Sequence, residues 1–216
     1  MVATRSEQTA ATRALLRTTA ERLYALHGID AVSSRQISKA AGQRNNYAVG
    51  HHFGDRTGLI SAILRNHNSK IEECRLRELD RLPARPSIRD WIRCLVRPEM
   101  EYLGNLGEPS HYARFCAHVD ANPATTPLLY ASVDESTALT DALQGFFAAL
   151  PTLSDTILSA RITMSQHMTV YTLAEFERSL DDPDITSGRR AGAWSHHCET
   201  LVDATVGLWL APTTHH

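Results

Sequence analysis

The chain has 216 residues, of which 43% are hydrophobic, 21% charged and 6% aromatic. That suits one ordinary globular domain or two small ones with a buried core, and it excludes disordered, collagen-like and disulfide-scaffold proteins. The net charge of −2 hides an asymmetry: residues 1–75 carry 11 Lys and Arg against 6 Asp and Glu, and residues 76–216 carry 11 against 18. A basic head on an acidic body can meet a polyanion at one end, or can be only a solvated surface.

Helical periodicity runs through almost the whole sequence. Thr12 to His27 places Leu16, Ala20, Leu23 and Tyr24 on one face, and Gly28 stands where a left-handed cap closes a helix. Ser33 begins Ser-Ser-Arg-Gln, a capping box with Gln36, and opens a helix with Ile37, Ala40 and Ala41 that stops near Gly42. A short helix is expected over Asn46 to His51. Asp55 is an N-cap for a long helix from Arg56 to about Leu82, before Pro83. Ser87 caps a helix that Pro98 kinks or divides and that continues to about Leu106. Further helices are expected from Ser110 to Ala121, from Pro127 to Leu150, from Ser154 or Asp155 to about Leu180, and from Ala193 to about Leu210. Asp181-Asp182-Pro183-Asp184 reads as a turn and Gly188 to Gly192 as a loop. No convincing strand and no internal repeat appears, so the fold class is all-α.

No stretch approaches the ~20 apolar residues of a membrane span, and Met1 to Gln8 lacks the apolar centre of a signal peptide. Cys74, Cys94, Cys116 and Cys198 form no Cys-x-x-Cys pair and fit free thiols in a reducing cytoplasm. His196-His197-Cys198 and His111, Cys116 and His118 lack the spacing of a metal site, and neither a phosphate loop nor a nucleophile elbow is present. The expectation is therefore no metal, no cofactor, no membrane and no catalysis.

Two short helices joined by a glycine-containing turn, behind a supporting helix, have helix-turn-helix proportions. Gln43, Arg44, Asn45 and Asn46 lie in that turn and at the start of the second helix. Gln and Asn suit adenine edges and Arg suits guanine, although such a run can also be just a polar turn. The stretches Ile37-Ser38-Lys39-Ala40-Ala41-Gly42 and His51-His52-Phe53-Gly54-Asp55-Arg56-Thr57-Gly58-Leu59 resemble the TetR family of bacterial transcriptional regulators. The likeness covers residues 12 to about 64, including Leu15-Leu16, Ala20, Leu23-Tyr24 and Gly28. It departs from the family pattern in one extra residue between Gly42 and Phe53 and in Gly50, which stands where a phosphate-binding tyrosine is frequent. Tyr47 could take part of that role.

What the resemblance implies is a helix-turn-helix DNA-binding domain over residues 1–55 and a ligand-sensing and dimerisation domain over 56–216, in a bacterial cytoplasm. Ser34, Arg35, Arg44, Asn45, Asn46, Tyr47, His52 and Arg56 correspond to positions that touch double-stranded DNA. A small-molecule effector would lie among Trp91, Met100, Tyr102, Leu103, Tyr112, Phe115, Tyr130, Phe146, Phe147, Met164, His167, Met168 and Tyr171, with Arg114 and Arg161 able to bind one carboxylate. The homodimer would pair two long helices through Ile157, Arg161, Met164, Met168, Tyr171 and Glu175 on one and Trp194, Cys198, Leu201, Ala204, Thr205, Gly207 and Leu208 on the other, presenting two reading helices to a palindromic operator. Repression relieved by the ligand is the implied mechanism. A helical protein-interaction adaptor and an all-α enzyme are the rival readings.

Overall fold

The computed structural model describes residues 4–106, 110–134, 136–182 and 184–213. Pro183 of the expected turn and the terminal His215-His216 lie outside them. Among the described residues the chain is all-helical: α1 (Arg5–His27), α2 (Ser34–Ala40), α3 (Ala48–Phe53), α4 (Arg56–Asp80), α5 (Ile88–Gly104), α6 (Tyr112–Asp120), α7 (Thr126–Asp134), α8 (Thr137–Ala149), α9 (Asp155–Ser179) and α10 (Ser187–Leu210). In chain order, α1, α2 and α3 make up the three-helix helix-turn-helix segment, the long α4 follows, and α5 to α10 complete the chain. By packing, the chain divides into two compact units, residues 1–67 with 111–132 and residues 68–110 with 133–216.

Local chemistry sets most helix starts. Ser33 with Gln36 forms the reciprocal capping box that the sequence suggests, and the Ser87 cap proves to be a second box, with Asp90. Each satisfies two backbone donors that a helix start leaves unpaired. α1 begins earlier than its apolar periodicity indicates, because Thr4 and Glu7 form a third box. The run after Pro127 is two helices rather than one. Ser136 restarts the chain by accepting from the Leu139 N–H, and its hydroxyl meets Glu72, which also accepts from the Ala138 N–H at 2.8 Å. A carboxylate at a helix N-terminus stabilises it. The expected loop at Gly188–Gly192 is helical, because the Thr186 side chain caps α10 ahead of those glycines.

In the first unit, α1 packs on α2 and α6, and Leu16, Ala20, Tyr24, Ile37, Val49, Leu59, Ile60, Ile63, Phe115 and Val119 form the core. Each such large apolar side chain contributes about 1.5–3 kcal/mol on burial. His67 stacks on Tyr112 at 3.9 Å and binds Glu21 at 2.8 Å, which ties α1, α4 and α6 together. Gly28 ends α1 at φ 82° and ψ 160°, with its N–H donating to the Tyr24 carbonyl. That region is close to glycine-only, although it is not the left-handed helical conformation expected from the sequence.

In the second unit, α5 is central and packs on α8 and α10. Ile92, Met100 and Leu103 of α5, Phe146 of α8 and Trp194, Leu201, Val202 and Trp209 of α10 are buried. Trp91 lies so close to α8 that a Cβ on Gly145 would stand 2.3 Å from its ring. Pro98 neither divides nor ends α5. A proline inside a helix offers no N–H to the carbonyl four residues earlier, here that of Cys94. The buried Arg75 of α4 supplies the replacement: its Nε donates to the Cys94 carbonyl at 3.0 Å and its Nη2 to the Leu95 carbonyl at 3.2 Å.

Candidate nucleic-acid interface

The head places α2 and α3 against each other across a turn of residues 41–47. The turn is built by its own side chains. Gln43 donates to the Ala41 carbonyl, and the Asn45 carboxamide accepts from the Tyr47 N–H at 2.9 Å. Asn45 therefore fixes a local turn, as Asn side chains commonly do, and α3 begins at Ala48 rather than Asn46. Asn46 and Tyr47 lie ahead of the helix.

Outward from this scaffold stand Arg35 and Lys39 on α2, Arg44 and Asn46 in the turn, and Tyr47, which is 82% exposed. No ion pair within the described residues neutralises Arg35, Lys39 or Arg44. Ser34 is half-buried at the first turn of α2. These groups combine free positive charge with amide and phenol hydrogen-bonding groups on one helix-turn-helix, which is what phosphates and base edges require.

Other expected contacts are held within the chain. The Arg56 guanidinium donates to Asp30 at 3.4 Å and to the Val32 carbonyl at 3.3 Å, which ties α4 to the loop after α1. The same Asp30 accepts from the Asn122 amide at 2.9 Å. His52 is half-buried, and burial, then His51 and the Arg13 charge, lower its pKa. At neutral pH it is an uncharged imidazole, able to donate one hydrogen bond but supplying no cation. Arg13 was not anticipated. It donates to the His52 carbonyl at 3.0 Å and lies 4.7 Å over the Phe53 ring, so it caps α3 from α1. A cation at a helix C-terminus is favourable, but no spacing signal within the sequence pairs those positions.

Comparison with known proteins adds a likeness of fold. No protein-family profile matches the chain, and no curated protein does. Solved structures do. A TetR family transcription regulator from Marinobacter aquaeolei VT8 aligns over 92% of this chain and 97% of its own, with a TM-score of 0.58 and 18% identity. Salmonella enterica GusR aligns over 92% and 95%, with a TM-score of 0.51 and 16% identity.

The chain has the TetR-family fold. On this TetR-type fold the residues expected around an effector are distributed rather than gathered. Tyr112 and Phe115 belong to the core of the first unit, with ring centroids 6.2 Å apart. Met100, Leu103 and Phe146 are buried in the second unit, where Trp91 and Tyr102 are half-buried. Tyr130, Phe147, Met164 and Tyr171 are 45%, 41%, 54% and 44% exposed. His167 is exposed and makes a T-shaped ring contact with Tyr171, centroids 6.0 Å apart, and Met168 is half-buried. Arg114 is buried in the first unit. Arg161 is buried too, and its guanidinium donates to the Trp209 and Ala211 carbonyls, capping the end of α10.

The stripe expected to form the dimer face of α10 splits in two. Trp194, Cys198, Leu201 and Thr205 are buried within this chain, on the helix that packs most extensively with α5. Ala204 and Gly207 are exposed and Leu208 is half-buried. On α9, Ile157 is half-buried and Glu175 exposed, while Met164 and Tyr171 leave apolar surface uncovered. The four cysteines are buried and form no disulfide among the described residues, and burial pushes the Cys94 and Cys198 thiols up to about 11, which keeps them protonated at neutral pH.

A polar-rimmed groove of about 220 Å³ is lined by Arg97, Met100, Glu101, Gly104, Asn105, Ala191, Trp194, Ser195, Cys198 and Glu199. It brings Met100, expected near an effector, together with Trp194 and Cys198, expected at a dimer face. Sequence periodicity assigns each to a helix face but does not bring α5 and α10 together. Among the described residues no helix is long and apolar enough to cross a membrane.

Proposed function

We propose that this chain is a TetR-family transcriptional regulator, a homodimer that reads a palindromic operator in a bacterial cytoplasm and represses until a small, mainly apolar effector binds its body. Residues 1–55 would act as the DNA-binding part and residues 56–216 as the sensing and dimerising part. The observation that carries this reading is the set of exposed, uncompensated cations Arg35, Lys39 and Arg44, with Asn46 and Tyr47 beside them in the turn, on a helix-turn-helix within the TetR-family fold. The exposed apolar side chains Met164 and Tyr171 of α9 and the small exposed Ala204 and Gly207 of α10 support pairing of these helices with a second copy, since small residues let backbones approach closely.

Duplex binding measured by fluorescence anisotropy tests the reading. Affinity for a non-specific duplex is expected to fall at least about a hundredfold between roughly 50 and 200 mM salt, as multiple phosphate contacts require. Arg44→Ala is expected to weaken binding and flatten that dependence. Binding that is absent at low salt, or equal in Arg44→Ala, would exclude the assigned interface.

A further inference from the structure

The groove between α5 and α10 has a feature that ordinary helix packing leaves unexplained. The two helices are antiparallel and joined along one edge by ion pairs. Arg89 binds Asp203, and one turn on Arg93 binds Glu199 at 2.9 Å. The next rung places Arg97 on α5, and the α10 residue that continues the series is Ser195, which carries no charge. The ladder lacks its third acid, and the groove opens at that rung: Arg97 and Ser195 both line it.

The other charges around the groove are already matched. Glu101 is held by Arg77 at 3.0 Å and Glu199 by Arg93. Glu78, the nearest acid to Arg97, is bound by Arg81 at 2.7 Å through the same oxygen that stands 3.9 Å from the Arg97 Nε. Arg97 is thus the cation of the groove that its surroundings satisfy least. Next to it lies an apolar floor of Met100, Trp194 and Cys198, each at least 97% buried.

We propose that this groove binds a small carboxylic acid whose carboxylate occupies the place of the missing acid opposite Arg97, with its apolar body on Trp194 and Met100. A guanidinium favours a carboxylate because its fork donates two parallel hydrogen bonds. The volume of about 220 Å³ lies below the ~300 Å³ of the smallest usual drug-sized sites, which selects acids with one ring or a short chain. Glu101 and Glu199 at the rim disfavour a second negative charge, so a monoacid is preferred over a diacid. As the identity of the effector, this inference rests on the regulator reading; as a binding site, it does not.

The test is calorimetric titration of the full chain with benzoate, phenylacetate and hexanoate, each alongside its uncharged amide, with tryptophan fluorescence as a second readout. At least one acid is expected to bind saturably while its amide binds about tenfold more weakly or not at all. Arg97→Gln is expected to lose about tenfold or more in affinity. Ser195→Asp supplies the missing acid internally, and is expected to abolish acid binding while melting at or above the wild-type temperature. Equal binding of acid and amide, no saturable binding of any acid, or wild-type affinity in either variant would overturn the assignment. Duplex binding on the same samples separates the two claims: acid binding in a chain that ignores DNA upholds the site and overturns the regulator reading.

Discussion

Gly58→Ala is expected to destabilise the chain by about 3 kcal/mol and to weaken DNA binding more than any single change of an exposed head residue. Gly58 lies in the first turn of α4, where its N–H donates to the Asp55 carboxylate at 2.7 Å. A Cβ there would stand 2.1 Å from the Phe53 carbonyl oxygen. That oxygen is backbone at the end of α3 and cannot rotate away as a flexible side chain would. The alanine must therefore separate α4 from α3, or unwind one of them, and α3 is the helix that follows the reading turn. Gly50→Ala is the matched control, since a Cβ at Gly50 meets nothing within 4 Å. Alanine there removes a glycine from a helix and is expected to stabilise by about 0.5–1 kcal/mol. Thermal melts check both: a fall of roughly 6–12 °C for Gly58→Ala, and no fall for Gly50→Ala. Equal melting of Gly58→Ala and wild type would mean that the α3–α4 approach is looser than described.

Arg75→Met is the second large effect, with an expected loss of about 2–4 kcal/mol. It leaves the Cys94 carbonyl without a donor inside the unit, because Pro98 has none to offer. Burial lowers the pKa of Arg75, and Glu99 and then Glu72 oppose that shift. A guanidinium stays protonated in proteins at any working pH, so the effect is expected to be flat between pH 6 and 9. The informative experiment is the double mutant. Pro98→Ala restores an N–H at the position that bonds the Cys94 carbonyl, so Arg75→Met is expected to cost at least about 1 kcal/mol less in that background. Urea unfolding of the four chains measures this coupling. Additive losses would show that Arg75 stabilises α5 by packing alone.

These two cases mark what the sequence can and cannot disclose. The Ser33 capping box, the Ser87 cap, the Asp55 start of α4 and the glycine at the end of α1 are legible because each is settled within a few residues. The Thr4 start is equally local, but it lies ahead of the apolar pattern that drew the boundary at Thr12. The start of α3 shifts because the Asn45 side chain captures the Tyr47 N–H, a competition that periodicity does not register. α5 continues undivided through Pro98 beside a donor from α4, Arg75, which proline chemistry alone does not disclose. In the same way, the period of α10 places Trp194, Cys198, Leu201 and Thr205 on one face, but only packing shows that this chain covers that face itself. The candidate site follows the same division. The exposed Arg35, Arg44 and Tyr47 are readable from type and position, whereas Arg56, Arg161 and Arg13 are engaged by carbonyls that only the tertiary fold brings within reach.

The most direct test of the regulator reading is selection of duplexes from a random-sequence pool by the purified full chain, repeated with Arg44→Ala. The account predicts enrichment of a palindrome whose half-sites lie about one helical turn, ~34–36 Å, apart, with the preference lost or relaxed in the variant. A pool that returns no enriched sequence at low salt, or the same sequence with Arg44→Ala, would contradict it.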